Sequence, residues 1–145
     1  MWRFLSKYWV GILAATIAVA LLVAIGIAVK AALFALDCEH SLHAMHNVLT
    51  ACRAYVEEHE GNWPKSWDEL QPLYTYEGDV AAETKERIAV DFGADPAELA
   101  TQSIESFTGI RPKGPIFEAY DGRLQELIDL LKKYHPPDHR RDDDG

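Results

Sequence analysis

The stretch YWVGILAATIAVALLVAIGIAV, Tyr8–Val29, holds 22 residues without a charge. At 1.5 Å rise per residue a helix of that length crosses the hydrocarbon core of a bilayer, ~30 Å thick. Arg3 and Lys7 precede the run and Lys30 closes it, while Asp37 and Glu39 follow. The excess of positive charge on the short leading side predicts an N-terminus in the cytoplasm and a domain on the far side. The run exceeds the 7–15 apolar residues of a secretory leader, and Leu33-Phe34-Ala35 is a poor small-x-small cleavage site. Cys38 follows Leu36-Asp37, not a small residue, which argues against lipidation. The reading is an uncleaved anchor in the cell membrane. It divides the chain into residues 1–7 in the cytoplasm, a transmembrane helix over 8–30, an extracytoplasmic domain over 31–135 and a disordered tail over 136–145.

Beyond the run the periodicity changes but the helix does not stop. Cys38, Leu42, Met45, Leu49, Cys52, Val56 and His59 step alternately by four and three residues, with Val48 and Tyr55 widening the stripe. That spacing places an apolar face on one side of a helix. No Gly or Pro intervenes between Gly26 and Gly61, so one helix from about Leu5 to Glu60 is predicted, roughly 80 Å long. Gly61 supplies a left-handed stop. Cys38 and Cys52 would sit about 21 Å apart along it, too far to bridge within that helix. They read as small buried apolar residues, with a bridge to a second chain as the alternative.

After the turn Asn62-Trp63-Pro64-Lys65, the sequence Ser66-Trp67-Asp68-Glu69 has the form of a capping box opening a short helix that Pro72 limits. Tyr74 to Glu86 is polar and weakly patterned, and reads as a loop. Arg87 to Phe92 reads as a strand that turns out at Gly93-Ala94-Asp95. Asp95-Pro96-Ala97-Glu98 starts another short helix. Phe107–Arg111 and Ile116–Tyr120 read as two strands about the turn Pro112-Lys113-Gly114-Pro115. A closing helix capped by Asp121 presents Leu124, Leu127, Ile128, Leu131 and Tyr134 on one face. The fold class is therefore α+β: a long N-terminal helix, transmembrane and then amphipathic, packed on a small antiparallel sheet with a C-terminal helix.

Part of this pattern resembles a known family. Tyr55, Glu58-His59-Glu60-Gly61, Trp63-Pro64, Ser66 and Leu70, within residues 42–73, are similar to the start of type IV pilins and type II secretion pseudopilins. The resemblance implies an anchor helix running into an amphipathic one with a small sheet against it. It does not imply assembly into a filament. Gly11 is followed by Ile12-Leu13-Ala14-Ala15-Thr16, and no Glu lies in the apolar run. The processing site and the buried carboxylate of that family are both missing.

Charge narrows the partners. Residues 31–145 carry 11 Lys and Arg against 23 Asp and Glu, a net charge of −12. Such a domain repels nucleic acid and anionic headgroups, so no nucleic acid is expected as a partner. Membrane lipid around the anchor is expected, with a protein partner or a second copy. Gly11/Ala15 and Ala20/Ala24/Ala28 permit close helix packing.

Few residues suggest chemistry. His40, His43 and His46 lie three apart, so His43 with His46, or Glu39 with His43, are weak candidates to share a metal. The three histidines span about 120° around the helix and cannot close on one ion. No Cys-x-x-Cys or His-Glu-x-x-His spacing occurs, and no metal or other cofactor is expected. Asp91 and Asp95 could be imagined as paired carboxylates, but Asp95 is already a helix cap. No nucleophile–base order and no glycine-rich phosphate loop is recognisable, so an enzyme is not expected. Trp63, Trp67, Tyr74 and Tyr76 cluster after the long helix. They read as the plug of the core or as an anchor for a partner. The function these observations support is a single-pass structural or interaction protein. The alternative is a sensing or ligand-binding module.

Overall fold

The computed structural model describes residues 2–73, 79–116 and 122–136. Its first element, α1, is one helix over Trp2–Glu58. The chain divides into two compact units, Met1–Leu36 and Asp37–Gly145.

In the first unit, large apolar side chains from Tyr8 to Leu36 are all exposed, between 51% and 69%. They point out on every side of the helix, because the run has no polar face to turn outward. The one aliphatic hydroxyl in it, Thr16, donates to the carbonyl of Ile12 at 2.9 Å, so its polarity is satisfied within the helix.

The second unit is built on the rest of α1. Cys38, Ala44, Met45, Val48, Leu49, Ala51, Cys52, Tyr55 and Val56 are buried. This face is broader than the predicted stripe. Ser41 is also fully buried, Leu42 is only half-buried and His59 is exposed. The widening reflects cover from more than one side, since a helix packed on a single neighbour buries a narrower seam.

The helix ends in a Schellman turn. Gly61 N–H donates to the Val56 carbonyl at 2.8 Å, the bond that closes this motif. The left-handed residue at the turn is Glu60, at φ 51°, and Gly61 follows at φ 92°. Both residues, not the glycine alone, carry the reversal.

The second helix, α2, covers Trp67–Leu70 and continues as a 3-10 turn over Gln71–Leu73. Ser66 caps it, accepting from the Glu69 N–H at 3.4 Å. The Glu69 carboxylate does not return to Ser66, as a capping box would require. It accepts from the Lys65 N–H at 2.8 Å, one residue earlier.

The predicted loop over 74–86 is corrected from Asp79 onward, residues 74–78 lying outside the described residues. A helix, α3, spans Asp79–Arg87, while Tyr74 and Tyr76 lie outside the described residues. Local pattern does not show this helix because tertiary partners hold it. Arg87 Nη1 donates to Asp37 Oδ1 at 2.6 Å and to Ser41 Oγ at 3.3 Å, both on α1. Its Nε donates to Glu83 Oε1 at 2.9 Å, one turn back on α3.

Strand β1, Ile88–Val90, follows at once. Helix α4, Pro96–Thr101, starts as expected: Asp95 Oδ1 accepts from the Ala97 N–H at 2.9 Å with Pro96 in the first turn. Strand β2 is Ile110–Pro112. It pairs antiparallel with β1, Ala89 opposite Arg111, and bonds at either end extend the ladder to Asp91–Gly109 and Arg87–Lys113. Of the two strands expected about the turn at 112–115, Phe107–Arg111 contributes Ile110 and Arg111 to β2, while Ile116–Tyr120 lies outside the described residues from position 117 on. The first of those segments pairs backward, because Ile88 and Ile110 are both fully buried and seal the same core. Residues 117–121, including Asp121, lie outside the described residues.

The last helix, α5, runs over Gly122–Tyr134. Leu124, Leu127, Ile128 and Leu131 face the core, as their spacing predicts. The long helix thus packs against a two-stranded antiparallel sheet and a C-terminal helix. An ion pair between Arg53 and Glu126 joins the exposed edges of α1 and α5.

Candidate functional site

The largest depression among the described clefts lies where α1 ends. Tyr55 and His59 from the last turn of α1 form one wall, and Glu69 of α2 stands beside them. Asn62, Trp63 and Lys65 come from the turn, and Phe92, Gly93, Ala94 and Pro96 from the loop between β1 and α4. The cavity is about 560 Å³ and opens to solvent. A second depression of about 320 Å³ shares Tyr55, His59 and Glu69 and adds Glu58, Pro72 and Leu73. The two depressions meet at Tyr55, His59 and Glu69, and together they form the groove of this site.

The local geometry explains how this groove is held. Trp63 is buried, and its indole N–H donates to the Asp91 carbonyl at 2.8 Å. That bond pins the loop after β1 to the turn after α1. Phe107 meets Trp63 edge to face at 6.3 Å between ring centroids. Trp67 is half-buried and meets Phe92 edge to face at 5.4 Å. The predicted aromatic residues therefore separate. Trp63 lines the groove, and Trp67 stands behind Phe92.

Tyr55 and His59 are stacked, with ring centroids 3.9 Å apart and planes at 11°. His59 Nδ1 lies 2.9 Å from the Tyr55 carbonyl. A carbonyl only accepts, so Nδ1 carries the proton and Nε2 is left as the other polar atom of the ring. The Tyr55 phenol and the Glu69 carboxylate line the same depression and shift each other's titration. The Lys65 N–H and then the Tyr55 hydroxyl hold Glu69 below the usual carboxylate range. Burial first, and the neighbouring carboxylate second, push the Tyr55 phenol up.

The histidines are arranged differently. His40 Nδ1 lies 3.1 Å from Glu83 Oε1, and His43 Nε2 lies 3.8 Å from Glu39 Oε1. Both imidazoles are exposed, while His46 is half-buried. Among the described residues no group of three or more His, Cys, Asp or Glu side chains is placed to hold a metal ion. Asp91 and Asp95 each turn a carboxylate oxygen to backbone: Asp91 accepts from Gly93 N–H at 3.0 Å and Asp95 from Ala97 N–H. Cys38 and Cys52 are free thiols, both buried, and burial pushes the Cys52 thiol far up.

Two features escaped the sequence. One is the Asp37–Arg87–Glu83–His40 chain of charge that ties α3 to α1. The i,i+4 spacing of Glu83 and Arg87 hints at it, but nothing local points to Asp37. Arg87 is strongly held in its charged form, by Asp37 first. The other is the contact of Tyr55 with Glu69, which joins two segments across the turn after α1. No family model, curated protein or solved structure matches this chain.

Proposed function

We propose that this chain is a single-pass membrane protein that works by contact with other proteins. Its N-terminus lies in the cytoplasm, its domain projects beyond the membrane, and its build is pilin-like. The observation that carries the reading is the exposure of α1 from Tyr8 to Leu36. Fourteen Leu, Ile, Val and Phe side chains there are more than half exposed. On an insertion scale each favours the bilayer by about 0.3–0.6 kcal/mol, or about 4–8 kcal/mol for the set. The helix is also long and apolar enough to cross a membrane. Water offers no comparable stabilisation for this surface. The positive charges Arg3 and Lys7 before the run support the orientation.

Three experiments test this. The protein should stay with membranes through alkaline carbonate extraction. Protease added to intact cells should remove the domain and leave a short membrane-held fragment. Crosslinking in native membranes with mass spectrometry should then recover a protein neighbour or a second copy. Digestion only in inverted vesicles would reverse the orientation, and release by carbonate would end the anchored reading.

A second reading, a ligand-binding or sensing module, is favoured by the groove around Glu69. Its residues converge from four segments onto one carboxylate.

A further inference from the structure

We propose that the groove around Glu69 binds a cationic side chain, the guanidinium or ammonium of a basic segment in a partner protein. The groove offers an oriented carboxylate. Lys65 N–H at 2.8 Å holds it, and this occupies one of the roughly four lone-pair directions of a carboxylate. The others remain for a guest. A carboxylate already fixed by the fold loses little freedom when a ligand arrives, which favours binding. Among the described residues no cation pairs with it directly, although the charges of Lys65 and His59 lie near enough to lower its carboxyl further.

The walls suit a cation as well. The stacked rings of Tyr55 and His59 line the depression together with Trp63 and Phe92. Aromatic faces attract guanidinium and ammonium groups within about 6 Å of the ring centre. Glu58 borders the second depression. Among the described residues Lys65 is the one lysine or arginine lining either half, and it is exposed. The net charge of −12 over residues 31–145 steers cations to this surface and anions away. The groove runs through two depressions, of about 560 and 320 Å³. That is room for a side chain with flanking backbone, which favours a segment of chain over a free amine.

The probe is the peptide amide Gly-Gly-Arg-Gly-Gly, with its citrulline analogue as the neutral isostere. Each is titrated into the full chain in nanodiscs of zwitterionic lipid, and the indole and imidazole signals are followed by NMR. We expect saturating shifts at Trp63 and His59 with the Arg peptide and at least tenfold weaker binding of the citrulline peptide. Glu69→Gln, which keeps an oxygen acceptor for Lys65, should weaken the Arg peptide at least tenfold. Glu105→Gln, an exposed carboxylate outside the groove, should change it less than twofold. Equal binding of both peptides would overturn the proposal, as would equal effects of the two variants or an Asp-containing peptide that binds as well. Free arginine binding as tightly as the peptide would overturn the assignment to a chain segment. The proposal deepens the interaction reading, and the two fail separately. A groove indifferent to the Arg peptide leaves the topology and crosslinking results standing, while an inward-facing domain leaves the peptide result standing.

Discussion

Gly61→Ala is the sharpest perturbation of this fold. Gly61 sits at φ 92°, where an L-residue with a Cβ costs about 1–2 kcal/mol. Its Cβ would fall well inside contact distance of Tyr134 Cβ, 2.8 Å from Tyr134 Cγ and 3.0 Å from His135 Nε2. Tyr134 Cβ is fixed to the backbone of α5 and cannot rotate aside, so the end of α5 must move. Overpacking of this kind costs about 1–3 kcal/mol. The shift also strains the bond of His135 Nε2 to the Gly61 carbonyl, now 3.0 Å. Alanine restricts the unfolded chain, which returns about 0.4–1 kcal/mol. The net loss is about 2–4 kcal/mol. It is measured by denaturant unfolding of the full chain in detergent, followed by near-ultraviolet circular dichroism of the buried Trp63. In a Tyr134→Gly background the clash with α5 should vanish, leaving the backbone cost and the close approach to the end of the His135 ring. A Gly61→Ala protein within about 0.5 kcal/mol of the parent would refute the reasoning. So would an unchanged cost in the Tyr134→Gly background, since the clash with α5 would then contribute nothing.

Arg87→Ala should destabilise by about 1.5–3 kcal/mol, the range for hydrogen bonds to charged groups. Faster hydrogen exchange over residues 82–87 should localise the loss to α3. Stability should fall in acid, because Glu69 and Glu83 titrate lower in the folded chain than in the unfolded one. Their contribution is complete above the unfolded value of about 4.3 and disappears as the pH drops through the folded values. Tyr55 acts in the opposite sense, since its pKa is raised. Its contribution is present below about pH 10 and is lost as the pH rises further. Unfolding midpoints against pH should show both slopes, and Glu69→Gln should flatten both. Cys52 should resist maleimide in the native protein at pH 8 and label fully in denaturant, because its thiol is buried and held protonated. Rapid native labelling at Cys52 would contradict that burial.

Much of the architecture was legible before any coordinates, for identifiable reasons. The apolar run needs only its length to be read. The cap at Asp95 and the face of Leu124, Leu127, Ile128 and Leu131 depend on neighbours within a few residues. Ser66 was legible on the same ground, since an N-cap bonds only to the next turn. Glu69 was half-legible: its place on α2 followed from the local pattern, but its choice of Lys65 over Ser66 did not. The helix over Asp79–Arg87 was hidden, because its own residues are polar and its support comes from Asp37 and Ser41, more than forty positions away. The strand pairing was missed for a related reason. A short turn marks where strands bend but not which strand lies beside them, and burial of Ile88 with Ile110 is what sets β2 against β1.

Of the candidate site, the sequence marked Trp63 and Trp67 but treated them alike. Only the fold distinguishes them, burying the first with its indole bonded to Asp91 and setting the second behind Phe92. What the chain determined by itself is what nearest neighbours and simple periodicity control: one long helix, its apolar half, its stop and its short capped partners. Tertiary structure alone decided which side chains meet across the turn at Gly61, and so where Glu69 stands and what surrounds it. The physical reason is reach. Helix propensity, capping and hydrophobic periodicity act over a few residues, while a groove is made by segments that touch only after the core has closed.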